Sequence, residues 1–159
     1  MRLPADPVLI VDDDQASCRF MAEVLTSSGY HVEWTTDDVG ALGRVGNSPF
    51  ALVIADVTMP SVGGIEIVAA LRRADPEAPA LLVSAFADGK ARSEARRLGV
   101  PLLAKPFPPD VLLGTVRILT SDDVSATVRH EQSSGSGGWT GLPTHGGPAS
   151  TIRKGAERG

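Results

Sequence analysis

The feature that most constrains this chain is a set of short runs of consecutive apolar residues, each stopping abruptly at a polar or charged one. Val8-Leu9-Ile10-Val11, Ala51-Leu52-Val53-Ile54-Ala55 and Ala80-Leu81-Leu82-Val83 are apolar at every position, not at alternate ones. Each has strand length, and continuous apolarity suits a strand covered on both faces, as in the middle of a parallel sheet. Val32 to Trp34 and Leu102 to Ala104 add two more strand-length segments, and Phe50 opens the third run. The stretches between them carry helical spacing. Gln15 to Ser28 sets Ala16, Phe20 and Val24 four residues apart, with Met21 and Leu25 beside them and Gly29 as a stop signal. Thr36 is placed to cap a second helix carrying Val39, Leu42 and Val45, which Gly40 and Gly43 weaken. A third helix is expected from Gly64 to Ala74 and a largely polar fourth from Gly89 to Leu98. A fifth starts at Pro109 and carries Leu112, Val116 and Leu119. Five strands alternating with five helices predict an α/β fold, a five-stranded parallel sheet of right-handed crossovers doubly wound by helices. In such folds the chemistry gathers beyond the carboxyl ends of the strands, where strand order reverses.

The composition narrows the class of function. At 159 residues the chain suits one domain with a hydrophobic core, and its formal charge of -4 argues against a nucleic-acid-binding surface, pointing instead to protein partners. A lone cysteine, Cys18, forms no internal disulfide and is expected to pack in the core. No signal-peptide pattern opens the chain, and no stretch approaches the roughly 20 apolar residues that cross a bilayer. A reducing cytoplasm and no membrane contact are therefore expected. After about Thr120 glycine and serine crowd the sequence, as in Ser133-Ser134-Gly135-Ser136-Gly137-Gly138, and large apolar residues are isolated. The expected organisation is a domain over residues 6–119 and a flexible Gly/Ser-rich C-terminal tail over 120–159, with no DNA-binding output domain.

The strand ends hold the reactive groups. The first strand delivers Asp12, Asp13 and Asp14, the third Asp56, the fourth Ser84 and the fifth Lys105. Neighbouring parallel strands bring the carboxylates together, where they repel and raise one another's pKa unless a cation intervenes. Mg²⁺ suits such a place, because it takes one or two carboxylates and leaves room in its shell for water and phosphate oxygens. The plain alternative for Asp12-Asp13-Asp14 is a turn with a helix N-cap. Ser84 alone reads as a turn residue and Lys105 alone as a solvated charge. Together, a carboxylate nucleophile, a divalent ion, a hydroxyl and an ammonium are what phosphoryl transfer to an aspartate requires.

With Val11-Asp12-Asp13, Asp56 followed by Met59-Pro60 and Gly64, Ser84-Ala85 and Lys105-Pro106-Phe107, in that order and spacing, the chain resembles the receiver domains of bacterial two-component response regulators. The resemblance covers about residues 6–119 and implies the strand order 2-1-3-4-5. It implies that Asp56 accepts a phosphoryl group from a phosphohistidine on a sensor histidine kinase or histidine phosphotransfer protein. Asp13 and Asp56, with the Thr58 carbonyl, would bind Mg²⁺, and Asp12 would hold a coordinated water. Lys105 would pair with the phosphoryl oxygens, Ser84 would move toward them, and the Lys105-Pro106 peptide would be cis. Such a domain is a phosphoacceptor rather than an enzyme, beyond catalysing its own phosphoryl transfer and dephosphorylation. It signals through changed contacts with a downstream protein, and a weakly bound second copy is a further partner to consider. Two positions depart from the family pattern: Gly63 stands where an Asp is usual, and Leu102 where an aromatic switch residue is usual.

Two readings from other classes compete. An Asp-x-Asp after the first strand suits a haloacid-dehalogenase-like Mg²⁺ phosphatase, with Asp12 as nucleophile and Asp14 as acid. It has no room for a substrate-enclosing cap and leaves the Asp56-Met59-Pro60 spacing unexplained. A phosphate-independent protein-binding module would not need the intact acid, hydroxyl and ammonium set. Lys90, Arg92, Arg96 and Arg97 make the fourth helix basic, and a solvated face is the plainer account of that run.

Overall fold

The computed structural model describes residues 6–121. The expected tail from 122 onward lies outside the described residues. Strands β1 (Val8–Val11), β2 (Val32–Thr35), β3 (Leu52–Asp56), β4 (Ala80–Ser84) and β5 (Leu102–Ala104) alternate with helices α1 (Gln15–Ser27), α2 (Asp38–Val45), α3 (Gly64–Ala74), α4 (Gly89–Leu98) and α5 (Pro109–Thr120). The sheet is parallel throughout, in the order β2-β1-β3-β4-β5.

The three uninterrupted apolar runs are the three inner strands, and β1, β3 and β4 are buried along their whole length. The outer strands β2 and β5 are only partly covered, as an edge position dictates. Alternate side chains separate the faces. Leu9, Val11, Val53, Ala55, Ala80 and Leu82 pack with Ala41 and Val45 of α2, Ile67, Val68 and Leu71 of α3, and Ala95 of α4. The residues between them face the other way, where α1 packs on β1 and β2 with Cys18, Met21 and Leu25 fully or almost fully buried. Among the described residues, 108–121 form a separate unit, and in its helix α5 Leu112, Val116 and Ile118 are the buried positions.

The element spans follow the sequence closely, but the buried faces of three helices do not, and in α5 Ile118 is buried where Leu119, only partly covered, was expected. In α1 the row Cys18, Met21, Leu25 turns inward, and Phe20, expected on the inner stripe, is 38% exposed. Two rows of apolar residues lie side by side on this helix, and spacing alone does not rank them. In α2 Val39 is exposed, while Ala41 and Val45 are buried and Leu42 is partly so. The cap of α2 is Asp37, whose carboxylate accepts the Gly40 N–H at 3.0 Å, and not Thr36.

Candidate functional site

Each reactive group stands at the carboxyl end of a strand because the apolar run that precedes it is drawn into the sheet. β1 and β3 are direct neighbours, with Val11 opposite Ala55, so the next residues, Asp12 and Asp56, emerge side by side. β3 and β4 pair Asp56 with Val83, which sets Ser84 one step further on. Asp12 and Ser84 are fully buried and Asp56 nearly so, whereas Asp13 and Thr58 are exposed.

Lys105 ties the cluster together. From the end of β5 its Nζ donates to Asp12 Oδ2 at 2.6 Å and to Asp56 Oδ2 at 2.9 Å, and it lies 3.4 Å from Ser17 Oγ. Asp56 Oδ1 accepts the Thr58 N–H at 3.0 Å, which turns the chain sharply back over the site. Asp12 Oδ1 accepts the Asp14 N–H at 2.9 Å in a matching turn. Asp14 itself caps α1, accepting from Ala16 N at 3.2 Å and from the Ser17 hydroxyl at 3.1 Å. That carboxylate is committed to the helix start, which disfavours it as the acid of a phosphatase. Ser84 Oγ accepts the Phe86 N–H at 3.0 Å, leaving its proton to donate. The Lys105–Pro106 peptide is cis.

The loop after Asp56 depends on glycine. A Cβ at Gly64 would collide with the Asp56 carbonyl, so no larger residue fits where α3 begins. Gly63 has φ 85°, a conformation that favours glycine, and it starts α3 without a side-chain cap.

Charge in the cluster does not balance. Carboxylate oxygens of Asp12, Asp13 and Asp56 all lie within 4.8 Å of one another. Three carboxylates against one ammonium leave two negative charges uncompensated, and burial adds to the cost at Asp12 and Asp56. The Asp56 pKa is accordingly raised, first by burial and also by the Asp12 charge, against the opposing pull of Lys105 and the Thr58 N–H. Burial works against the Lys105 ammonium too, but its bonds to Asp12 and Asp56 outweigh this and its pKa is raised. Hard oxygen donors with a net double negative charge fit a divalent cation of the Mg²⁺ kind.

A sequence profile of the response regulator receiver domain matches residues 8–117. The chain belongs to the response regulator receiver family. The receiver is 30% identical to the response regulator receiver protein CpdR of Brucella abortus over 106 residues, which is 63% of this chain and 84% of that protein. It is 31% identical to the transcriptional regulatory protein PcoR of Escherichia coli over 113 residues, 70% of this chain but only 50% of that relative. In three dimensions it is similar to the chemotaxis protein CheY4 of Vibrio cholerae, with a TM-score of 0.65 and 31% identity, covering 72% of this chain and 98% of that one. A receiver of this family is a phosphoacceptor signalling domain of two-component systems, not an enzyme in the ordinary sense. Among the described residues no helix is long and apolar enough to cross a membrane.

All the residues singled out in the sequence, Asp12, Asp13, Asp56, Thr58, Ser84 and Lys105, meet at one end of the sheet. Two neighbours were not legible there. Ser17 approaches Lys105 from the first turn of α1, and its only sequence signal is its place three residues after Asp14. Asp38, at the start of α2, accepts N–H groups from the loop that follows Asp56. The paired acids Asp37-Asp38 look like ordinary cap residues in the sequence.

Proposed function

We propose that Asp56 is the phosphoacceptor of this receiver and takes its phosphoryl group from a phosphohistidine of a sensor kinase or histidine phosphotransfer protein. The observation that carries this reading is the pair of bonds from Lys105 to Asp56 and Asp12, which holds the acceptor carboxylate beside a cation at the mouth of the sheet. Asp12, Asp13, Asp56 and the Thr58 carbonyl would hold Mg²⁺, Asp12 through a water. When bound, the ion supplies positive charge to the phosphoryl oxygens and screens the carboxylates from one another.

The residues of the chain do the rest. The Thr58 N–H fixes Asp56 Oδ1, and Oδ2, on the Lys105 side, is the oxygen that attacks phosphorus as the bond to the histidine nitrogen breaks. Lys105 then follows the charge onto the phosphoryl oxygens, and Ser84 donates its hydroxyl proton to one of them. The same groups position a water for hydrolysis of the acyl phosphate, so transfer and loss are both catalysed by the domain itself. We place the receiver in the cytoplasm, where phosphohistidine donors work.

A cavity of about 520 Å³ opens beside Lys105, with Phe20, Met21 and Phe107 in its wall. Phe20 and Phe107 have ring centroids 6.1 Å apart, and Phe20 is partly exposed. This apolar mouth suits a protein donor better than a small molecule alone. Transfer from a phosphorylated histidine phosphotransfer protein tests the reading. Wild-type chain should gain the label and Asp56→Asn should not. Phe20→Ala should slow transfer from the protein donor more than transfer from a small phosphodonor. Equal labelling of Asp56→Asn would refute the assignment.

A further inference from the structure

We propose that Asp38 is a positioning residue for phosphoryl transfer: from the first turn of α2 it grips the loop that carries the acceptor site, doing for that loop what an in-line cap does elsewhere. The proposal rests on the reading of Asp56 as phosphoacceptor.

Asp38 is 6% exposed, and its Oδ2 accepts three successive backbone N–H groups, from Ser61 at 3.1 Å, Val62 at 2.6 Å and Gly63 at 3.4 Å. Consecutive amides converge on one anion only where the chain bends out of its ordinary conformations, forming a nest. Gly63, with φ 85°, supplies that bend, and a Cβ there would also stand 3.0 Å from the Val57 carbonyl. The start of α3 therefore needs a carboxylate that its own segment does not provide, since Gly63 has no side chain to cap with. Asp38 brings one from α2.

Capping α2 is not the main task of Asp38, whose carboxylate meets only the adjacent Val39 N–H of that helix. That task falls to Asp37, whose Oδ1 takes the Gly40 N–H. The two adjacent acids thus divide the work, one closing α2 and the other holding a loop 23 to 25 residues away. The carboxyl pKa is lowered, first by the Val62 N–H and then, against the cost of burial, by those of Ser61 and Gly63, so the group stays charged.

The loop is pinned at three places: Thr58 N on Asp56 Oδ1, Gly64 N on the Val57 carbonyl at 3.3 Å, and the nest on Asp38. Releasing the last frees Met59 to Gly63 to shift, and with them the Thr58 carbonyl and the Asp56 carboxylate. Displacements of about an ångström at a reacting group cost on the order of 100-fold in rate.

The test uses the full chain, a small phosphodonor such as acetyl phosphate and saturating Mg²⁺. Asp38→Ala should label at a rate lower by on the order of tenfold or more. Asp37→Ala, which also removes a cap bond from α2, should label within about twofold of wild type. Asp38→Asn keeps an acceptor oxygen in place and should recover part of the loss. In wild type the amides of Ser61, Val62 and Gly63 should exchange slowly, and in Asp38→Ala quickly, while those of β1 and β3 stay protected in both. Wild-type labelling rates in Asp38→Ala, or equal slowing in Asp37→Ala, would overturn the proposal. Should Asp38→Ala fail to fold, fast exchange of the three amides in wild type would overturn it as well. A wild-type chain that takes up no phosphoryl group would instead overturn the assignment of Asp56.

Discussion

Lys105 cannot neutralise the carboxylates it touches, and this imbalance governs how the site should respond to metal. Mg²⁺ should raise the melting temperature of the wild-type chain, by an amount equivalent to about 2.7 kcal/mol when free ion stands about 100-fold above its Kd. Asp13→Ala should lose most of that response, because it removes a carboxylate from the cation's surroundings while leaving the buried core untouched. A thermal shift with Mg²⁺ that is equal in both proteins would contradict the metal site. Asp38 responds to pH instead. Its folded-state pKa lies below the unfolded value of about 3.9, so its stabilisation is present above that value and is lost as pH falls through the folded pKa. Stability measured by denaturant titration from about pH 5 downward should therefore fall further in wild type than in Asp38→Asn. Equal acid slopes would show that the carboxylate gains nothing from the nest. Asp12, Asp13, Asp56, Ser84 and Lys105 were legible in the sequence because each stands at the end of an apolar run of strand length. Ser17 and Asp38 were not, because their partners come from other elements, and only the folded chain shows which N–H groups or ammonium a short polar side chain will meet.

All ten elements were legible in the sequence, but the inner faces of α1, α2 and α5 depended on what they pack against. A helix with two adjacent apolar rows offers two stripes, and the sheet selects Cys18, Met21 and Leu25, leaving Phe20 at the surface beside Phe107. The junction of β3 and α3 is set more tightly. Gly64→Ala should cost about 1 to 3 kcal/mol of stability, measured by chemical denaturation, since its methyl group meets the Asp56 backbone more closely than it meets the Leu82 side chain. An unchanged midpoint would show that the junction yields. The output face is the element least legible in the sequence. Leu102 is half-buried against the core and has neither ring nor hydroxyl, so it distinguishes poorly between the two states of the site. We expect Ser84 and the loop from Ala85 to Gly89, with Phe86 73% exposed on it, to carry the response. Ser84→Ala should then retain phosphorylation but lose phosphorylation-dependent binding of a downstream protein, whereas Leu102→Ala should chiefly cost packing. The reverse pattern in stably folded variants would place the switch on β5.

At the scale of the whole molecule, the receiver is framed by its family: residues 8–117 match the domain, and the same region spans most of CpdR but half of PcoR. We propose that residues 6–119 suffice for the phosphoacceptor function. Residues 122–159 carry few large apolar side chains with which to offset an ordering cost of roughly 1 to 2 kcal/mol per residue. A chain ending at Ser121 should therefore melt at the same temperature and show the same Mg²⁺ response as the full chain. A loss of either would give the C-terminal segment a part in the fold. The claim on which the rest depends is that one carboxylate, at the end of β3, takes the phosphoryl group. Intact mass spectrometry after incubation with a small phosphodonor and Mg²⁺, followed by hydroxylamine treatment and peptide mapping, measures it directly. A single acid-labile phosphoryl group located on Asp56, absent from Asp56→Asn, is the expected result. Undiminished labelling of Asp56→Asn, or a group mapped to any other residue of the wild-type chain, would contradict it.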